Sequence, residues 1–117
     1  MKAKSANQNE FNAAISKNQI VIVDFFATWC GPCKQFAPVF ETTAAKNPDI
    51  EFLKIDTDIE QALSADLEIS SIPTLMVYRD GVVVYREAGA LSQHEFEHLI
   101  QNIRELDLKS FKAEMAG

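Results

Sequence analysis

Ile20 to Phe26 is a near-continuous apolar run interrupted by a single carboxylate, Asp24. A run of this kind reads as a strand covered on both faces, in a central or parallel position of a sheet. Three residues later the chain reads Cys30-Gly31-Pro32-Cys33 and at once enters a helical pattern, Phe36, Val39, Phe40 and Ala44. A buried strand feeding directly into a helix through a pair of cysteines limits both the fold class and the chemistry.

The remaining elements follow from spacing. Asn7 with Glu10 is a capping pair for a first helix ending near Asn18, with Phe11, Ala14 and Ile15 on one face. The helix after the cysteines contains Pro38, which removes a hydrogen bond and is expected to kink it, and it should stop before Pro48. Glu51 to Asp56 reads as a second buried strand, and Asp58 with Gln61 as the cap of a short helix. Asp80-Gly81 between Thr74–Tyr78 and Val82–Tyr85 predicts an antiparallel hairpin. Ser92 and Glu95 then cap a helix whose buried face is Phe96, Leu99, Ile100 and Ile103. Beyond Leu106 the pattern loses phase, and Leu108, Phe111 and Met115 fit a docked helical turn or a frayed polar tail equally well.

The order predicts an α/β architecture, a central mixed sheet of about four or five strands flanked by about four helices. With 117 residues, 47% of them hydrophobic, one domain is expected, with a core over about residues 7–106 and a C-terminal extension over 107–117. A net charge of -6 disfavours nucleic acid and anionic membranes as partners. Met1 to Gln19 contains no apolar stretch of the signal-peptide kind, and no segment reaches membrane-spanning length, so the cytoplasm is the expected location. No large apolar stripe is left once the helices pack, and a monomer is expected.

Cys30 and Cys33 are the only cysteines. A bond between them closes a very short loop and restrains little of the unfolded chain, so their purpose is reactivity rather than stability. At a helix start, free backbone amides and the positive dipole end favour a thiolate on Cys30, which is therefore the expected nucleophile. Cys33, one turn inward and shielded, is then the resolving thiol. The competing reading is half of a zinc site completed by His94 and His98. About sixty residues separate the histidines from the cysteines, against about a dozen in a finger, and both histidines lie opposite the apolar face of their helix. No metal is expected.

The stretch Val23-Asp24-Phe25-Phe26-Ala27-Thr28-Trp29-Cys30-Gly31-Pro32-Cys33-Lys34 resembles the active-site signature of the thioredoxin family. The resemblance continues through Ala37-Pro38, Ile55-Asp56, Ile72-Pro73-Thr74, Asp80-Gly81 and Gly89-Ala90-Leu91, and covers roughly Phe11 to Ile103. It implies the thioredoxin fold and a protein disulfide reductase that acts on protein disulfides. Its expected electron donor is a flavin-containing, NADPH-dependent thioredoxin reductase, and its redox group is the Cys30–Cys33 disulfide itself rather than a cofactor. A carboxylate buried like Asp24 is costly unless hydrogen-bonded, hydrated or protonated. The resemblance gives it the task of accepting the proton of Cys33. It also implies a cis bond at Ile72-Pro73 that leaves the Ile72 backbone free to pair with a substrate, and a docking surface made of Trp29, Gly31, Pro32, Ile72, Pro73, Gly89 and Ala90. Gly89 has in addition a plain backbone reading, a positive φ or a close approach after a strand. Lys34 reads as a solvated helix residue.

Three features depart from the bacterial pattern. Phe26 stands where many members carry a second tryptophan, Phe52 where they carry a buried lysine near the aspartate, and Lys2 to Ala6 is too polar for the usual first strand, which is expected to be short or absent. Two other functions compete: a disulfide oxidase or isomerase, against which Gly31-Pro32 and the plain N-terminus argue, and a redox-independent subunit of a larger complex.

Overall fold

The computed structural model describes residues 3–116. Their order is β1 (Lys4–Ser5), α1 (Gln8–Lys17), β2 (Ile20–Phe26), α2 (Gly31–Lys46), β3 (Glu51–Asp56), α3 (Gln61–Asp66), β4 (Thr74–Arg79), β5 (Val82–Ala88), α4 (Gln93–Glu105) and α5 (Leu108–Ala116). The five strands form one mixed sheet in the order β1-β3-β2-β4-β5. β2 is parallel to β3 and antiparallel to β4, so the apolar run is central. The polar first strand does form, as two residues parallel to β3; Lys2, also part of that expectation, lies outside the described residues.

Because side chains of a strand point alternately to the two faces, β2 supplies both halves of the core. Ile20 and Ile22 join Phe36 and Phe40 of α2 and Phe96 and Ile100 of α4 on one face. Val21, Val23 and Phe25 join Phe11 of α1 and Leu63 of α3 on the other. Phe52 belongs to the first cluster, edge-on to Phe40 at 5.4 Å and to Phe96 at 6.2 Å between ring centroids. Each such ring contributes on the order of 2–3 kcal/mol by burial, and the centre of the sheet is held by these two layers.

Local chemistry explains most boundaries. Asn7 and Glu10, and Ser92 and Glu95, make reciprocal capping boxes at α1 and α4. α2 runs through Pro38 to Lys46 without a break. The hairpin turn places Asp80 at φ 50° and Gly81 at φ 82°, the left-handed pair that a two-residue turn of this hand requires. One expectation fails. Asp58 does not cap α3, whose N-cap is Glu60 with no side-chain bond; the Asp58 carboxylate is engaged elsewhere and only its backbone carbonyl meets Gln61, 2.9 Å from Nε2. The C-terminal segment is not frayed: Asp107 accepts from the backbone N–H groups of Lys109 and Ser110 and starts a fifth helix, in which Leu108 and Phe111 are half-buried, Met115 is exposed and no residue is fully buried. The chain before it is fixed by Arg79, which donates to the carbonyls of Ile103 and Leu106.

Candidate active site

β2 ends at Phe26 and the chain turns through Ala27, Thr28 and Trp29 into α2, so the first turn of α2 sits at the end of the central parallel strands. Cys30 is the N-cap of that helix, and its Sγ accepts the backbone N–H of Cys33 at 3.2 Å. A sulfur in this position meets an orphan amide and the positive end of the helix dipole, both of which favour the thiolate. Pro32 occupies the first turn, where its missing N–H loses nothing. Cys30 and Cys33 are joined as a disulfide, with Cα atoms 5.2 Å apart, an ordinary separation for such a bond.

The two cysteines are almost equally covered. Cys33 is shielded, at 4% exposed, but Cys30 is covered nearly as well, at 5%. The reason is the opposing loop: Ile72 packs against Ala27, Cys30 and Cys33, and the Cys30 sulfur lies 3.8 Å from the Ile72 carbonyl oxygen. What separates the cysteines is what lies beneath them. Cys33 lines a cleft of about 210 Å³ together with Asp24, Phe26, Ala37 and Lys54.

Asp24 is 1% exposed, and among the described residues neither carboxyl oxygen has a hydrogen-bond partner. Burial pushes the carboxyl up to about 7, against a partial opposing pull from the Lys54 ammonium. A lysine does lie near the aspartate, at position 54 rather than at the place of Phe52. Lys54 is the register partner of Asp24 across β2 and β3, whereas Phe52, two residues back, pairs with Ile22 and fills the core.

The Ile72-Pro73 bond is cis. Thr74 Oγ1 donates to the Ser71 carbonyl and closes the turn around it, while Gly89 N–H donates to the Pro73 carbonyl at 2.8 Å. Gly89 has a φ of 107° and open space where a Cβ would stand, so its backbone conformation, not a close approach, is what asks for glycine. Ala90 follows it, exposed. Gly31 and Pro32 are exposed at the helix start, Ile72 is half-buried and Pro73 buried. Trp29 is 68% exposed, and its Nε1–H donates to Asp58 Oδ2 at 2.8 Å. The spacing to Gln61 suggests Asp58 as a helix cap; the sequence signal for its true partner is only that it lies one short loop beyond a strand parallel to β2. Lys34 is exposed on α2, and His94 and His98 are exposed on α4. Among the described residues no group of three or more His, Cys, Asp or Glu is placed to hold a metal, and no helix is long and apolar enough to cross a membrane.

The sequence model of the family described as Thioredoxin matches residues 2–105. The chain is 45% identical over 87 residues to thioredoxin-2 of Saccharomyces cerevisiae, across 74% of this chain and 83% of that one. It is 38% identical over 95 residues to the thioredoxin of Mycoplasmoides gallisepticum, across 81% and 95% of the two chains. Among solved structures, a mutant thioredoxin from Halobacterium salinarum matches with a TM-score of 0.81 at 34% identity, over 86% of this chain and 89% of that one. A redox pair that begins a helix at the end of a central strand, the cis-proline loop against it, and likeness over most of the chain lead to one conclusion: this chain belongs to the thioredoxin family.

Proposed function

We propose that the protein is a dithiol–disulfide reductase of other proteins, with Cys30 as nucleophile, Cys33 as resolving thiol and Asp24 as proton acceptor. The observation that carries this reading is the place of Cys30 Sγ as the N-cap of α2, accepting the Cys33 amide. In the reduced protein the Cys30 thiolate attacks one sulfur of a partner disulfide, forming a mixed disulfide and expelling the other sulfur as a thiolate. Cys33 then gives its proton to the Asp24 carboxylate and attacks Cys30 Sγ. The Cys30–Cys33 bond forms, the mixed disulfide breaks, and two electrons have passed to the partner. A carboxyl near 7 suits that proton transfer, because it is poised to accept and release at ambient pH.

Trp29, Gly31, Pro32, Ile72, Pro73, Gly89 and Ala90 form the docking surface in this reading, with the Ile72 backbone pairing to the substrate in strand fashion. The cycle is completed by a flavin-containing, NADPH-dependent thioredoxin reductase. The protein works as a cytoplasmic monomer, one domain with its core over residues 7–106, and needs no group beyond its own disulfide. Support for these points is the family membership and the compact docking face around a single cysteine pair.

Mixed-disulfide trapping tests the reading. Cys33→Ser should accumulate covalent adducts with partner proteins that thiol reductants release, and Cys30→Ser should accumulate none. Absence of adducts in both variants would sink it. The reduction potential, measured against defined thiol buffers, should lie below the glutathione couple; a value above it would make the protein an oxidant or isomerase on the same fold.

A further inference from the structure

Phe26 and Lys54 stand between two depressions, since both line the Asp24–Cys33 cleft and both line a separate groove of about 290 Å³ on its outer side. Asp56, Ile59, Glu60 and Glu10 line it too, with Ser5, Ala6 and Asn7 completing the wall. Ile59 is 73% exposed. One exposed isoleucine is ordinary, but this one is held in place. It follows Asp58, whose carboxylate grips the Trp29 indole, and Thr57, whose N–H and hydroxyl both donate to the Phe26 carbonyl. The loop is thereby fastened to the end of β2, and Ile59 stands next in the chain to the residue that holds Trp29, so two exposed apolar side chains are carried by one anchored loop system.

Among the described residues the groove is lined by three carboxylates and one ammonium. Glu10, Glu60 and Asp56 each spend one oxygen on a backbone N–H, of Asn7, Gln8 and Asp58 respectively. Among the described residues none of the three is in an ion pair. Lys54, the one cation among the described lining residues, has its ammonium 5.1 Å from the centre of the Phe26 ring. Three carboxylates around an exposed isoleucine favour a cationic side chain attached to an apolar one.

We infer that this groove recognises the substrate polypeptide beside its disulfide and selects segments that combine an apolar side chain, seated on Ile59, with a lysine or arginine facing Glu60 and Glu10. The inference rests on the disulfide-exchange reading above and names the substrate class of that same site.

The test uses the full chain in its reduced form and three disulfides. One is the dimer of a short peptide with leucine and arginine on both sides of its cysteine. The second is the same peptide with serine and glutamine there. The third is hydroxyethyl disulfide, too small to reach the groove. Arginine beside a cysteine also makes a better leaving thiolate, so the variants decide the matter rather than the peptides alone. Wild type should reduce the leucine–arginine peptide about tenfold faster than the serine–glutamine one. Ile59→Ser and Glu60→Gln should each shrink that ratio by about threefold or more, with hydroxyethyl disulfide as the reference rate, and added salt should shrink it in wild type more than in Glu60→Gln. Unchanged ratios in both variants overturn the groove, as does an equal fall on all three disulfides. A wild-type protein that cannot reduce even hydroxyethyl disulfide overturns the exchange reading and the groove with it.

Discussion

Asp24 and Lys54 are register partners across the parallel β2–β3 pair, so a buried carboxyl and an ammonium share the cleft below Cys33. Burial wins over attraction, and the carboxyl titrates near 7. The folded chain then holds a proton that the unfolded chain releases near pH 4. The folded state binds more protons across that interval, so stability is lost as pH rises from about 4 to about 7 and the loss is complete above it. The size is about 4 kcal/mol. Asp24→Asn should therefore be more stable than wild type at pH 8 and lose that advantage by pH 4, as read from urea midpoints. A gain that does not change with pH would contradict this account.

Lys54→Gln removes the one influence that lowers the Asp24 carboxyl. The pH profile of mixed-disulfide resolution should move to higher pH by about one pH unit. Stopped-flow rates between pH 5 and 9 check it, and a profile that stays in place would mean that solvent screens Lys54 from the carboxyl.

Trp29 is the only tryptophan, which makes its fluorescence a direct report on the proposed docking face. Asp58→Ala deletes the acceptor of its indole N–H, a contact of about 1 kcal/mol, and frees the ring. Fluorescence anisotropy should fall, and KM for a protein disulfide should rise by about threefold with kcat nearly kept. Equal falls in kcat and kcat/KM would instead tie Asp58 to the reacting atoms.

Removal of residues 108–117 should change the unfolding free energy by less than about 1 kcal/mol and leave disulfide reduction intact, because α5 fully buries none of its residues and the Arg79 bonds to Ile103 and Leu106 remain. Denaturant unfolding of the shortened chain decides it; a larger loss would mean that α5 packs on the domain in solution.

The legible parts of the sequence were those written in local chemistry. The Ile20–Phe26 run, both capping boxes and Asp80-Gly81 each carry their structural consequence within a few residues, and each led to the element found. The Cys30 cap was legible for the same reason. Lys54 was missed because its partner is set by strand register, which depends on how β3 slides along β2 rather than on anything near Lys54 in the chain. Asp58 was misread because an acidic residue three before a glutamine fits a capping pattern, and the competing tertiary acceptor role is invisible until Trp29 arrives from another loop. The near-equal cover of the two cysteines depends on the Ile72 loop, which also comes from far away in sequence. The last helix is undecided from sequence because its apolar residues are at most half-buried.

In the proposed exchange the atom that caps the start of α2 is also the atom that reacts, and this sets a limit on what the protein can be as a reagent. Every increment by which the Cys33 amide and the helix start favour a Cys30 thiolate makes the nucleophile more abundant near neutral pH. The same increment stabilises the dithiol form over the disulfide, which raises the reduction potential and weakens the protein as a donor of electrons. Speed and driving force are thus traded at one sulfur, and a substitution that strengthens the cap should yield a faster but poorer reductant.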